Sequence, residues 1–164
     1  DGGGMGRRNP PARAQHAGGL SADMDTTTGR CLCGAFRFEV AGPLQNVRLC
    51  HCDSCRPSTG SAYSANCRVP AVSFRVETAE PDVTEYESSP GATRVFCSRC
   101  GSPVYARVAS DPEGIRIRLG TLDRQAKAEI VAHVWVGSMA AWDSICDDLP
   151  RHEKAAEQPR RGDP

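Results

Sequence analysis

Seven of the nine cysteines in this 164-residue chain stand in three tight clusters, and their spacing limits the possible folds more than any other feature. Two clusters are pairs, Cys31-Leu32-Cys33-Gly34 and Cys97-Ser98-Arg99-Cys100-Gly101, each ending in a cysteine followed directly by glycine. A metal-gripping turn aims backbone N–H groups at the thiolate sulfurs, and glycine accepts the positive φ that such a bend requires. The two pairs therefore read as halves of one closed four-cysteine zinc site, a structural clip assembled across 63 intervening residues. A secreted disulfide framework would call for an even cysteine count, dispersed spacings and a signal peptide. The odd count and the clustering favour metal binding in a reducing compartment instead.

The third cluster, Cys50, Cys52 and Cys55 in "LCHCDSCRPSTG", has no trailing glycine and offers three cysteines. If Cys50 and Cys52 lie on a strand they share one face, and His51 points to the other. Two readings stay open. Three protein ligands with one open position is the pattern of a catalytic zinc. A second closed site would need a distant fourth ligand from His133, His152, Cys67 or Cys146. Cys67 and His133 otherwise read as packed strand residues, and Trp135 and Trp142 as core or pocket walls.

Period-two alternation dominates the rest. Phe36, Phe38 and Val40 alternate with Arg37 and Glu39; Val72, Phe74 and Val76 with Ser73, Arg75 and Glu77; Ile115, Ile117 and Leu119 with Arg116 and Arg118. Less regular strands are expected at 62–69, 83–87, 93–96, 104–108 and 130–136. Turns are expected at Gly42-Pro43, Pro70, Pro81-Asp82, Pro90-Gly91 and Asp111-Pro112-Glu113-Gly114. Short helical turns are expected at 54–60, 122–129 and 140–146. The fold class is mainly β, antiparallel, with few short helices and with bound metal helping to hold a small core.

Residues 1–28 are rich in Gly, Pro, Ala and Arg with almost no large apolar side chains, and read as a disordered leader in which Met24 is a plausible start. Residues 29–152 form the folded domain, and residues 153–164 a disordered tail. Basic and acidic residues balance at twenty each, which disfavours extended nucleic-acid binding. No apolar run approaches the roughly 20 residues of a membrane span, so a cytoplasmic protein is expected.

"GRCLCGAFRFEVAGP", "CHCDSCRPSTG", "FCSRCGSPVY" and "HVWVGSMAAWDSICDDLPRHE" follow in this order. Together they resemble the glutathione-dependent formaldehyde-activating enzyme family, which includes the centromere protein V relatives and has an Mss4-like fold. The resemblance covers residues 29–152. It implies two Zn2+ per chain: a structural one on Cys31, Cys33, Cys97 and Cys100, and a catalytic one on Cys50, Cys52 and Cys55. The implied activity is that of a carbon–sulfur lyase, joining a small thiol such as glutathione to a small aldehyde such as formaldehyde, or the reverse. Arg56, directly after the triad, is the candidate for pairing with a substrate carboxylate. The competing class is a non-catalytic zinc-stabilised interaction module or thiol carrier.

Overall fold

Each alternating stretch needs a partner for its unpaired backbone groups, and the chain supplies it in two sheets. The computed structural model describes residues 26–78 and 82–155. The strands are β1 (Thr26–Arg30), β2 (Arg37–Ala41), β3 (Leu44–Cys50), β4 (Ser64–Pro70), β5 (Phe74–Val76), β6 (Val83–Ser89), β7 (Ala92–Cys97), β8 (Pro103–Val108), β9 (Asp111–Arg118), β10 (Ala128–Val134) and β11 (Arg151–His152). A single α-helical turn, α1 (Cys55–Thr59), ends at Gly60 in the left-handed conformation. The small sheet runs β1-β2-β5, and the large one β11-β10-β3-β4-β9-β8-β7-β6. The fold is thus mainly β and antiparallel, except that β10 lies parallel to both β3 and β11.

The core lies between the sheets. Phe38 and Val40 from β2 point inward, as their alternation with Arg37 and Glu39 requires, and join Val47, Cys67, Val69, Val104 and Ile117 of the large sheet. Phe74 bridges the two layers, with its ring 5.3 Å from Phe38 and 5.1 Å from Tyr105. Asp111 on the edge of this layer accepts from Arg68 Nε and Nη2, both at 2.6 Å.

Register then decides what the opposite face carries. The pairings Cys67↔Ile117↔Tyr105↔Val95 set one row toward the core. One residue over, Cys50↔Ser64, Asn66↔Arg118 and the row Arg94↔Ala106↔Arg116 belong to the other face. That second face is covered by α1 and holds the third cysteine cluster.

Several local expectations are corrected. Thr26, Thr27 and Thr28, assigned to the leader, open β1, because a strand paired along one edge needs β-branched residues more than large apolar ones. Residues 1–25 and 156–164 and Pro81 lie outside the described residues. Glu153 and Lys154, assigned to the tail, follow β11 directly, and the Lys154 carbonyl accepts from the Trp135 N–H at 3.1 Å. Asp111 to Gly114 is not a turn but the start of β9; the chain reverses earlier, between the paired Val108 and Asp111. Val72 falls in a 3-10 turn, Ala71–Ser73, and is exposed, so that strand starts only at Phe74. The stretch 122–129 holds no helix, with a 3-10 turn just before it at Leu119–Thr121, and 140–146 forms only turns. Trp142 is 74% exposed rather than a core residue.

Gly29 marks where the small sheet is tightest. A Cβ there would sit 2.3 Å from the Phe38 ring and 2.8 Å from the Thr121 carbonyl oxygen. Phe38 is fully buried and the carbonyl is backbone, so neither yields cheaply. Gly29→Ala is expected to destabilise the domain by about 1–3 kcal/mol, the usual cost of overpacking, read as a shift in urea midpoint at unchanged slope.

Candidate metal centres and the cavity beside them

The first two cysteine pairs meet. Cys31 and Cys33 lie in the turn between β1 and β2, and Cys97 and Cys100 in the hairpin between β7 and β8. The four sulfurs all lie within 4.8 Å of one another. The trailing glycines do what the bend demands: Gly34 and Gly101 sit at φ 76° and 72°, and their N–H groups bond to the carbonyls of Cys31 and Cys97. The Phe36 N–H donates to Cys31 Sγ at 3.3 Å, and the Ser102 hydroxyl, 3.3 Å from Cys100 Sγ, is foremost in drawing that thiol down to about 5. Four sulfurs that close, with donors aimed at them, fit a tetrahedral thiophilic ion. This cluster could hold a metal ion and would clip the small sheet to the large one.

The third cluster forms at the end of β3. Cys50 is its last residue, Cys52 is in the following turn, and Cys55 opens α1; their sulfurs also fall within 4.8 Å of one another. The turn closes through the N–H groups of Cys55 and Arg56 on the Cys52 carbonyl, and the Cys55 N–H also reaches Cys52 Sγ at 3.3 Å. Hydrogen bonding with Cys50 is the main cause that pulls the Cys55 thiol down to about 5 against burial. Cys52 and the Arg94 and Arg118 guanidinium groups add to it. Cys50 is pushed far up, chiefly by the same bond to Cys55. The set could take a metal ion through three sulfurs.

Among the described residues none of the distant fourth-ligand candidates joins this group. Cys67 is buried in the core, its thiol donating to the Gln45 carbonyl at 3.3 Å and raised to about 11 by burial. Cys146 is exposed, 3.7 Å from Ser144 Oγ. His51 turns away from the triad, as the strand argument expects, and is completely buried. Its Nε2 lies 2.9 Å from His133 Nδ1, and His133 Nε2 lies 3.1 Å from Asp147 Oδ2. Each imidazole has a carboxylate on its far side, Asp147 beside His133 Nε2 and Asp143 Oδ2 at 3.5 Å from His51 Nδ1. This chain ties the cysteine turn to the segment after β10, and the His51 N–H on the Val134 carbonyl at 3.0 Å reinforces it.

Arg56 donates from Nη2 to Asp53 Oδ1 at 2.6 Å and from Nε to the His51 carbonyl at 3.2 Å. It therefore braces the turn that carries the cluster. Two other arginines, missed in the sequence, act on the Cys55 sulfur. Arg94 Nη2 is 4.0 Å from Cys55 Sγ while its Nη1 donates to Ser58 Oγ at 3.0 Å. Arg118, placed in solvent by alternation with Ile115 and Ile117, is 6% exposed instead. Both line a cavity of about 580 Å³ whose other walls include Ser54, Pro57, Phe96 and Tyr105.

Known proteins bear on this arrangement. Residues 26–138 match the family model described as "Glutathione-dependent formaldehyde-activating enzyme". The chain belongs to that family. Over 79 residues it is 34% identical to an uncharacterized lyase of Schizosaccharomyces pombe, covering 47% of this chain and 54% of that protein. Over 84 residues it is 37% identical to a Halomonas elongata protein provisionally named a glutathione-dependent formaldehyde-activating enzyme, covering 47% and 53%. The chain thus spans about half the length of these curated relatives. A crystal structure of a Rhodobacter sphaeroides protein superimposes with a TM-score of 0.52 at 25% identity, over 63% of this chain and 96% of that one. All three cysteine clusters of this member fall inside the matched residues. Among the described residues no helix is long and apolar enough to cross a membrane.

Proposed function

We propose that the chain is a zinc-dependent carbon–sulfur lyase that adds a small thiol such as glutathione to a small aldehyde such as formaldehyde, and splits the adduct in reverse. One observation carries this reading: three cysteine sulfurs converge with no fourth protein donor among the described residues, next to a cavity whose wall residue Arg94 comes within 4.0 Å of Cys55 Sγ. The four-cysteine cluster is assigned to a structural zinc, and Cys50, Cys52 and Cys55 to the zinc of the reaction. Held by these three thiolates, zinc would favour the deprotonated form of an incoming thiol.

The protein's own residues do the rest. Arg94 and Arg118 line the cavity and, by their charge, help to lower the neighbouring Cys55 thiol. Arg56 and the His51–His133–Asp147 chain hold the turn in register. In the forward direction the thiol sulfur attacks the aldehyde carbon, one C–S bond forms, the carbonyl π bond breaks, and the thiol hydrogen ends on the new hydroxyl oxygen. Nothing is oxidised or reduced. Family membership and the names of the two relatives support a lyase of this type, whose exact substrates are proposed here.

The test is an exchange measurement by NMR on the zinc-loaded protein with glutathione and formaldehyde. Interconversion with S-hydroxymethylglutathione is expected to be faster than in buffer at equal pH. A rate equal to buffer at enzyme concentrations matching the glutathione would overturn the reading and leave the interaction module or thiol carrier.

A further inference from the structure

The cavity beside the triad has a cationic end whose charge the protein does not balance. Arg118 is one of four polar or charged side chains buried among the described residues. Its Nη1 donates to Ser64 Oγ at 3.1 Å, and its Nε–H has no hydrogen-bond partner. This chain neutralises a partly exposed arginine elsewhere: Arg68 meets Asp111 through two bonds of 2.6 Å. Arg118 has no such carboxylate among the ion pairs of the described residues. Arg94 stands beside it with only a hydroxyl and the distant Cys55 sulfur as partners. Glu85, the acidic residue of the cavity wall, is held by Arg107 at 2.6 Å.

Charge counting sharpens the point. Three thiolates around a divalent ion leave one negative charge, and two guanidinium groups more than cancel it. One positive charge remains at a site where burial makes an unpaired guanidinium costly. The partner it calls for is an anion, and the planar fork of arginine matches a carboxylate. The adjoining walls, among them Pro57 and Phe96, suit a short carbon skeleton, and about 580 Å³ lies in the range of small-molecule sites.

We infer that Arg118 and Arg94 form a carboxylate subsite, so that the thiol taken by this cavity is a small mercapto-carboxylate. The inference rests on the thiol-handling reading above for where the sulfur goes, but the arginine pair is testable apart from it. Arg56, the neighbour of the triad in sequence, has its Nε and Nη2 committed to protein partners and is the weaker candidate for this contact.

The experiment is isothermal titration of the zinc-loaded full chain, wild type, Arg94→Gln and Arg118→Gln. The probes are mercaptopropionate, mercaptoethanol and the S-methyl ether of mercaptopropionate. A charge-assisted hydrogen bond gives an advantage on the order of tenfold or more. The wild type is expected to bind mercaptopropionate tighter than mercaptoethanol by that factor, and in each arginine variant the ratio of the two affinities is expected to fall toward one. Equal binding of the two thiols by the wild type would overturn the subsite and leave thiol handling intact. Equal weakening of both thiols in the variants would also overturn it, the arginines then serving only to balance the cysteines. If neither thiol binds but the S-methyl ether does, and Arg94→Gln abolishes that binding, the subsite stands and thiol handling fails. Binding of none of the three overturns both. Should Arg118→Gln not fold, the more accessible Arg94→Gln carries the comparison.

Discussion

Cys97→Ser is expected to leave the chain without stable tertiary structure, however much zinc is supplied. Cys97 is fully buried, belongs to the same cluster of core residues as Phe38 and Ile117, and lies within 4.8 Å of the other three sulfurs of its group. Those sulfurs come from two turns, one in each sheet, so a metal held by all four would link the layers. Structural zinc in small domains contributes about 10–16 kcal/mol of apparent binding energy. Whole domains are stable by only about 5–15 kcal/mol. Losing one ligand of four, and leaving a buried serine hydroxyl in its place, therefore threatens all of the net stability. The check is near-ultraviolet circular dichroism with metal analysis, and the same loss is expected when a chelator strips the wild type. A variant that keeps a cooperative unfolding transition and one zinc per chain would show that this cluster does not staple the fold.

The meeting of the two cysteine pairs can be read from sequence because each pair carries local marks, a short spacing and a following glycine at positive φ. The alternating strands β2 and β9 were legible for the same reason, since one face of each meets the core. β3 was not. Asn46 lies at φ 55° inside it, and the pairing with β10 shifts there, so the buried residues fall at 44, 47 and 49 and no period survives. β1 was read as leader because "TTTGR" has nothing large to bury; its role is to pair, and pairing leaves no apolar signature.

The candidate site divides along the same line. The triad is local and was visible. His51 and His133 are 82 residues apart, and only the parallel placement of β10 beside β3 brings their rings together. Arg118 misled by obeying its pattern. Alternation correctly put it on the face away from the core, but that face is not solvent: α1 and the third cluster cover it. Two-sided burial of one sheet is a tertiary fact that a period of two cannot express. The unpaired Nε of Arg118 is a feature of the folded chain alone.

Cys52→Ala is expected to do the opposite of Cys97→Ser: fold retained, zinc reduced from two per chain to one, and thiol–aldehyde exchange returned to the rate in buffer. Cys52 lies in the turn between β3 and α1, partly exposed and outside the cluster of core residues. Its removal deletes one acceptor for the Cys55 N–H, which keeps its backbone bond to the Cys52 carbonyl at 3.0 Å. The cost to stability is then about 1 kcal/mol, the size of one hydrogen bond. A divalent ion held by three sulfurs and deprived of one keeps too few protein ligands to stay. Three measurements on one sample separate the possibilities: unfolding midpoint, zinc content and exchange rate. Loss of folding would make the second cluster a structural site, and retention of both zinc ions would mean that a residue outside the triad completes it. Loss of one zinc with the exchange rate undiminished would move the chemistry away from these three cysteines altogether.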